Sequence, residues 1–447
     1  MEVERIGHKK IRASGEILFK DVESSQIITC IQLALRQSQV KEQQCLSMPF
    51  QDGSSGKEKY EPEEKLLFSE DHLQPKQIHF SSSSDDSCVF QSEIDFRFKT
   101  YAPPAFDHFR DLFGVSQQDF LKSLCSLPLR ELSSSGASGS LFYISQDDEF
   151  ILKTVQLKER RLLLQILEDY YQNLKQNPHT LLPKFFGLYN YIPKTSGNKN
   201  IRFVVMNNVL PSALKMHWKY DLKGSTYNRR ASLAEKMNPY PTFKDLDFLE
   251  HFPGGLVLEE KTYKALMKTL ERDAMVLESL KIMDYSLLVG IHSFDFASQE
   301  KKIIQLEMNE SELKQRRTRR KLVAHSTALE SIEISLDELD YEAPYGGIPA
   351  KSRNGDNLIV FLGIIDILQS YRLRKKLEHT WKAVVYDGNT VSVHRPEFYS
   401  RRFMDFLKSS VFCDGSQAIT TNIDTKSGSG SGFPKPKKKS FSFSCCS

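Results

Sequence analysis

The stretch K-I-M-D-Y-S-L-L-V-G-I-H, residues 281–292, places one acid inside an otherwise apolar run. Because an ionised carboxylate is costly to bury without a partner, Asp284 is expected to face a group that binds it. The run follows residues 263–281, whose apolar side chains recur at the spacing of an amphipathic helix. Periodicity alone therefore predicts an acid at the end of a helix and leaves its partner open.

Length and composition limit the class of protein. The chain has 447 residues, of which 40% are hydrophobic and 26% are charged, as is typical of a globular protein. It contains no run of about 18 apolar residues and begins with a polar stretch, so we expect neither a transmembrane helix nor a signal peptide. Seven cysteines without a C-x-x-C pair argue against a disulfide framework or a zinc site and favour a reducing cytosol.

The net charge of +4 is small, but the basic residues are clustered. K-Q-R-R-T-R-R-K (314–321), R-L-R-K-K (372–376) and K-P-K-K-K (435–439) indicate local anionic partners, either nucleic acid or an anionic membrane. Solvated surface is the alternative interpretation of each cluster. Because the interleaved aromatic residues of a nucleic-acid platform are missing from the basic runs, we expect no nucleic acid partner.

The order of the predicted elements is that of an α+β fold. Strands are predicted first and a helix-rich part follows, whereas residues 40–91, 295–357 and the Ser/Gly-rich tail after residue 411 read as flexible or loop-like. The predicted strands cover residues 139–145, 148–157, 201–209 and 358–367, and the predicted helices cover residues 159–176, 263–281 and 397–409.

Four features in chain order fit the parts needed for phosphoryl transfer. They are the small-residue loop S-G-A-S-G-S (135–140), Lys153 in a predicted strand, Asp284, and Asp366 at the end of L-I-V-F-L-G-I-I-D. Taken singly, the loop is as typical of a plain turn, and Lys153 of an edge-strand lysine that reaches solvent. The H-R-D, D-F-G and A-P-E signatures of protein kinases are missing, so the residues by themselves support only a phosphotransferase hypothesis.

Longer motifs carry a more specific resemblance. D-L-K-G-S-T-Y-N-R-R (221–230), residues 281–292, G-I-I-D-I-L-Q-S-Y (363–371) and K-K-L-E-H-T-W-K-A-V-V-Y-D-G-N-T-V-S-V-H-R-P (375–396) resemble the phosphatidylinositol phosphate kinase family. The similarity is strongest to its type I branch, the phosphatidylinositol 4-phosphate 5-kinases. It extends over most of residues 92–412 and, more weakly, over residues 1–35.

The resemblance implies a two-lobed α+β lipid-kinase fold with antiparallel sheets, distantly related to protein kinases. It implies an N-terminal region at 1–91, a kinase domain at 92–412 and a basic tail at 413–447. The implied cofactors are ATP and Mg²⁺, with Asp284 as the catalytic acid, Asp284 and Asp366 as metal ligands, and Lys153 as a catalytic lysine. The implied nucleotide contacts are Gly136, Ser138, Gly139, Lys153, Met206, Asn207 and Lys223.

Residues 372–396 resemble the activation loop that docks on the membrane and selects the lipid. The implied contacts to phosphatidylinositol 4-phosphate are Lys375, Lys376, Glu378 and Lys382, and Glu378 occupies the position that distinguishes the type I branch. The implied reaction phosphorylates the inositol 5-hydroxyl and yields phosphatidylinositol 4,5-bisphosphate. The implied setting is the cytoplasmic, inner face of the plasma membrane, with an anionic membrane surface as partner, and the resemblance allows a homodimer.

Two features depart from the family pattern. Arg161 stands where family members have a glutamate that pairs with the nucleotide lysine, so it is expected to repel Lys153, and Glu159 is expected to face elsewhere. The tail ends in Cys445 and Cys446 after four lysines, which is typical either of a lipidated membrane anchor or of a disordered tail. Arg161 leaves a second hypothesis open, a weakly active or inactive membrane-associated scaffold of the same family.

Overall fold

The structure is a computed structural model. It describes residues 4–6, 9–11, 17–19, 22–47, 68–80, 95–132, 139–194, 200–210, 214–298, 347–370 and 396–416. Within these ranges the chain forms three sheets flanked by helices. The predicted α+β class is confirmed.

The N-terminal sheet is a small antiparallel meander that leads into a long helix. Its strands are β1 (Glu4–Ile6), β2 (Lys9–Ile11), β3 (Ile17–Phe19) and β4 (Val22–Glu23), and helix α1 follows at Ser24–Ser47. Helix α1 buries Ile27, Ile31 and Ala34, which lie about one turn apart and so form one apolar face. The helix ends at Ser47, so residues 40–47, which were predicted to be flexible or loop-like, are helical.

The second sheet has seven strands in the order β5-β6-β10-β11-β9-β8-β7, and its pairs are antiparallel. Its helices are α2 (Glu70–Leu73), α3 (Pro103–Leu112), α4 (Gln117–Cys125) and α5 (Leu157–Gln176). The strands are β5 (Lys76–Phe80), β6 (Phe96–Tyr101), β7 (Arg130–Leu132), β8 (Phe142–Ile144), β9 (Phe150–Val155), β10 (Phe185–Pro193) and β11 (Ile201–Asn207). The predicted strand pair at 139–157 and the predicted helix at 159–176 are confirmed as β8, β9 and α5.

The third sheet has six strands in the order β12-β14-β16-β15-β13-β17, and its one parallel pair is β13 with β17. Its helices are α6 (Leu233–Lys236), α7 (Asp245–His251), α8 (Glu260–Ser279) and α9 (Pro396–Phe406), which continues into a π-helix at Leu407–Val411. The strands are β12 (Trp218–Leu222), β13 (Leu256–Leu258), β14 (Ser286–Ser293), β15 (Ile348–Lys351), β16 (Asn357–Ile365) and β17 (Phe412–Asp414).

The two larger sheets define two lobes that meet through backbone and side-chain contacts. The Ile364 amide of β16 donates to the Leu181 carbonyl at 2.8 Å. The Leu181 amide in turn donates to the buried Asp273 carboxylate of α8 at 2.7 Å. These bonds fix the segment before β10 against the third sheet and its helix α8.

Two regions differ from the sequence prediction. Strand β15 lies within residues 295–357, which were predicted to be a charged loop, and it pairs with β16 along its whole length. Strand β5 lies before the predicted domain boundary at residue 92, yet it pairs with β6 of the seven-stranded sheet. In both cases hydrogen bonds to a neighbouring strand stabilise a segment whose own pattern is weak.

Candidate active site

Asp284 and Asp366 lie side by side at one edge of the third sheet. Strand β14 begins two residues after Asp284, and β16 ends one residue before Asp366. Because Ser286 pairs with Ile365 in the antiparallel register, the two acids leave the sheet at the same end. The bond from the Met283 amide to the Gln369 carbonyl, at 2.9 Å, holds the two flanking segments together.

Both acids have left-handed backbone conformations, with φ of 66° at Asp284 and 63° at Asp366. Aspartate tolerates this region better than most residues, but the conformation still costs on the order of 1–3 kcal/mol. Such strain persists where the surrounding structure imposes it, and here the paired strands impose it on both acids.

Lys153 joins the two lobes at this edge. It lies in β9, where it pairs with Phe142 and Val204, and its side chain is only 16% exposed. Its Nζ forms an ion pair and a hydrogen bond with Asp366 of the other lobe and lies 5.4 Å from the centre of the Phe142 ring. Burial acts to raise the pKa of Asp366, but the charges of Lys153 and Lys223 and the Lys153 hydrogen bond outweigh it, so this pKa lies below its ordinary value.

Lys223 makes the corresponding contact to Asp284. Its Nζ donates to the Asp284 backbone carbonyl at 2.6 Å and to Oδ1 of the Asp284 carboxylate at 3.2 Å. Lys223 follows β12, which pairs with β14 and therefore runs next to the strand that carries Asp284. Two lysines and two aspartates from four segments thus converge at one edge.

Asp245 holds the segment that carries Lys223, and the sequence analysis did not identify it. Its Oδ1 accepts hydrogen bonds from the amides of Lys223, Gly224 and Ser225, at 2.9, 2.7 and 3.3 Å. Its Oδ2 accepts from Arg229 Nε at 2.6 Å. Because this carboxylate is almost completely buried, its bonds determine where the backbone of Lys223 lies.

Arg229 connects Asp245 to β12. Its terminal nitrogen donates to the carboxylate and to the backbone carbonyl of Asp221. Arg229 was visible in the sequence as part of D-L-K-G-S-T-Y-N-R-R, whereas Asp245 lies in a short helix where an acid is typical of a solvated surface. A contact between Asp245 and residues 223–225 depends on the tertiary fold, so no local signal could have revealed it.

Arg161 was expected to lie beside Lys153 and repel it, and the structure places it differently. Lys153 has a carboxylate partner in Asp366, and the Arg161 side chain is exposed. Glu159 accepts from the Gln156 amide at 2.6 Å in a capping interaction at the start of α5, so its carboxylate serves the helix. Neither residue of α5 supplies the glutamate that the family pattern places beside the lysine.

The predicted nucleotide contacts are only partly described. Gly139 is buried and has a φ of 61°, a conformation that favours glycine, whereas Gly136 and Ser138 lie outside the described residues. Met206 is partly buried near the end of β11. Asn207 is buried, and its side-chain oxygen accepts from the Lys184 amide at 2.8 Å, so this side chain stabilises the strand end.

The predicted lipid contacts Lys375, Lys376, Glu378 and Lys382 lie outside the described residues, as do Cys445 and Cys446. Among the described residues, no group of three or more His, Cys, Asp or Glu could hold a metal ion. Asp284 and Asp366 nevertheless fit Mg²⁺, because protein sites commonly offer it one or two carboxylates and leave the remaining positions to phosphates and water. None of the described helices has the length and apolar character of a membrane span.

Known proteins resemble this chain over most of its length. Residues 123–410 match the family model described as Phosphatidylinositol-4-phosphate 5-Kinase. The chain is 49% identical over 415 residues to phosphatidylinositol 4-phosphate 5-kinase type-1 alpha of Rattus norvegicus, covering 92% of this chain and 72% of the relative. It is 60% identical over 323 residues to the type-1 beta enzyme of the same species, covering 71% and 59%.

A third relative, a type-1 phosphatidylinositol 4-phosphate 5-kinase of Drosophila melanogaster, is 45% identical over 458 residues, covering 91% of this chain and 55% of the relative. The chain therefore spans between about half and three quarters of the length of these relatives. The family match includes both lysines and both acids of the site. Since the match covers most of the chain and the relatives align with both lobes, the chain belongs to the phosphatidylinositol-4-phosphate 5-kinase family.

Proposed function

We propose that the protein is an ATP-dependent lipid kinase that phosphorylates the inositol 5-hydroxyl of phosphatidylinositol 4-phosphate. The product would be phosphatidylinositol 4,5-bisphosphate. The observation that carries the proposal is the convergence of Lys153, Lys223, Asp284 and Asp366 at one sheet edge between the lobes. The names of the relatives support the choice of substrate.

The two lysines provide the charge that ATP requires. Lys153 comes from one lobe and Lys223 from the other, so both can reach a triphosphate bound between the sheets. In the structure each lysine contacts an aspartate. On nucleotide binding these ammonium groups exchange carboxylate contacts for phosphate contacts, and the two acids are released for their own roles.

The two acids share metal binding, and Asp284 has a second role in proton transfer. Asp284 accepts the proton of the 5-hydroxyl while the hydroxyl oxygen bonds to the γ-phosphorus and the bond to the ADP oxygen breaks. Asp366 and Asp284 would hold Mg²⁺, which supplies charge neutralisation at the phosphates when it is bound. Their ion pairs with Lys223 and Lys153 hold both carboxylates at the sheet edge before the substrates arrive.

The membrane contacts of the proposal rest on the sequence. Lys375, Lys376 and Lys382 would contact lipid phosphates, and Glu378 would favour the 4-phosphate lipid over the 5-phosphate lipid. Each basic residue near an anionic surface contributes about 1 kcal/mol of binding. These residues and the basic tail favour the inner face of the plasma membrane as the place of action, and a homodimer is compatible with them.

One observation favours a second candidate, a weakly active membrane-associated scaffold of the same family. In this chain no glutamate of α5 supports Lys153, because Arg161 is exposed and Glu159 caps the helix. The Lys153–Asp366 pair would then have to be broken for each nucleotide without another acid to position the lysine. Under this hypothesis membrane binding is retained and turnover is low.

A lipid-kinase assay tests the proposal. Purified full-length chain is incubated with radiolabelled ATP, Mg²⁺ and vesicles that contain either the 4-phosphate or the 5-phosphate lipid. The expected result is a bisphosphate product from the 4-phosphate lipid, none with Asp366→Ala, and full activity with Glu168→Ala, an exposed acid of α5. Wild-type product no greater than that of Asp366→Ala would overturn the proposal.

The variant Arg161→Glu separates the two candidates in the same assay. If the missing glutamate limits turnover, this variant raises it by about tenfold or more, since positioning groups contribute at least that much to phosphoryl transfer. Unchanged turnover in Arg161→Glu, together with measurable wild-type activity, would remove the basis of the scaffold hypothesis.

A further inference from the structure

Three arginines gather at one corner of the seven-stranded sheet. Arg202 is the second residue of β11 and pairs with Val155, the last residue of β9. Helix α5 begins two residues after Val155, so Arg160 and Arg161 lie in its first turns. Strand register and the short β9–α5 connection therefore bring together Arg160, Arg161 and Arg202, hereafter the arginine triad.

The triad is electrostatically unfavourable as it stands. Burial lowers the pKa of Arg202, Tyr101 acts in the opposite direction, and the charges of Arg160 and Arg161 lower this pKa further. The Arg160 guanidinium lies over the Tyr101 ring, 4.7 Å from its centre. The Nε atoms of Arg160 and Arg202 are buried and have no hydrogen-bond partner.

Several other cations of the described residues that are largely shielded from water are matched by acids. Arg229 contacts two aspartates, Arg110 contacts Asp107, and Lys153 contacts Asp366. In the part of the chain that the structure describes, no ion pair involves a member of the triad. Three guanidinium groups without a carboxylate leave room for an external anion with several acceptor oxygens, and phosphate fits guanidinium groups through paired N–H donors.

We propose that the arginine triad binds a phosphate monoester group at a site separate from the nucleotide site. Lys153 lies two residues before Val155 in β9 and contacts Asp366 of the other lobe, whereas Arg202 pairs with Val155 and Arg160 lies over Tyr101 of β6. A bound phosphate would connect the first turns of α5 to β11. The binding does not depend on kinase activity, so its failure and the failure of the proposed lipid kinase are distinguishable.

The test uses the full-length chain with adenosine 5′-(β,γ-imido)triphosphate and Mg²⁺ at saturating concentration, which fills the nucleotide site. Inorganic phosphate and inositol 1,4,5-trisphosphate are then titrated by calorimetry at constant ionic strength. Arg161→Gln changes an exposed side chain and should preserve the fold, Arg202→Gln removes a half-buried member, and thermal unfolding checks both. Arg97→Gln is the matched control, because Arg97 is an exposed arginine on β6 of the same sheet.

The expected result is a dissociation constant at least tenfold higher for Arg161→Gln and Arg202→Gln, with Arg97→Gln within twofold of wild type. Two vesicle types identify the source of the phosphate: phosphatidylcholine with phosphatidylinositol 4-phosphate, and phosphatidylcholine with phosphatidylserine, which lacks a monoester. Triad-dependent binding confined to the first vesicles supports a lipid headgroup, and triad-dependent binding of the soluble ligands alone supports a free phosphate. Equal titrations for wild type and both triad variants, with folded proteins, would overturn the proposal.

Discussion

Replacing Asp245 with alanine is expected to destabilise the fold and to misplace Lys223. The change removes the acceptor of three backbone amides and one of the two carboxylate partners of Arg229, all within a region from which water is largely excluded. Removing one partner of a buried ion pair costs about 3–5 kcal/mol, since the remaining charge keeps its desolvation penalty. We therefore expect Asp245→Ala to lower the free energy of unfolding by about that amount.

The same variant should also affect catalysis. Without its anchor the backbone at Lys223 can shift, and a displacement of about 1 Å in a positioned group can cost roughly 100-fold in rate. Urea unfolding measures the stability, and the lipid-kinase assay below the unfolding transition measures the rate. We expect both to fall together in Asp245→Ala.

Glu250→Ala is the matched control, because Glu250 lies in the same helix and also pairs with an arginine. Its partner is Arg230, at 2.6 Å, but both side chains are about half exposed. Exposed ion pairs contribute about 0–1 kcal/mol, so this variant should be nearly silent. If Asp245→Ala lost no more stability than Glu250→Ala, the anchoring role of Asp245 would be refuted.

Three further predictions concern backbone conformation and pH. Gly224 has a φ of 66°, and a Cβ there would lie 2.9 Å from the Arg402 carbonyl oxygen, so Gly224→Ala should lower the unfolding free energy by about 1–3 kcal/mol in urea. Burial raises the pKa of Asp273 to about 6. The free energy of unfolding of wild type should therefore fall by about 2–3 kcal/mol relative to that of Asp273→Asn as the pH rises from 4 to 7. A difference in unfolding free energy that stayed constant over this pH range would contradict the prediction. Lys153 holds the pKa of Asp366 below its ordinary value, although burial acts to raise it. The ion pair therefore stabilises the fold above about pH 4, and this stabilisation is lost as the pH falls through the lowered pKa. Lys153→Met should therefore cost more stability at pH 7 than at pH 3, and equal costs at the two pH values would argue against the pair.

The elements with strong patterns could be predicted from the sequence. The apolar residues of 263–281 recur at helical spacing, and this segment forms most of α8. The apolar run at 358–367 forms most of β16. Asp284 and Asp366 lie next to such segments, and this placement singled them out as candidate site residues. Their adjacency could not be predicted, because it depends on the β14–β16 register, which pairs segments about 80 residues apart.

The elements that were missed lack a local signal. Strand β15 contains Pro349, which cannot donate to a ladder and argues against an interior strand, and pairing with β16 overrides this effect. The nucleotide contact of Asn207 stays a prediction, and the bond of its side chain to the Lys184 backbone had no signal in the sequence. A sequence indicates that a polar residue ends a strand and leaves open which backbone group it will meet.

The most direct test of the central claim is the rate of lipid phosphorylation by Asp284→Asn, measured with a parallel titration of a fluorescent ATP analogue. Asparagine keeps the size of the side chain and tolerates the left-handed backbone, but it cannot accept the hydroxyl proton. We predict a loss of about 100- to 10,000-fold in the rate, with affinity for the nucleotide analogue in the absence of Mg²⁺ within about threefold of wild type. A wild-type rate in Asp284→Asn would contradict the assignment of Asp284 as the proton acceptor and with it the account of the site.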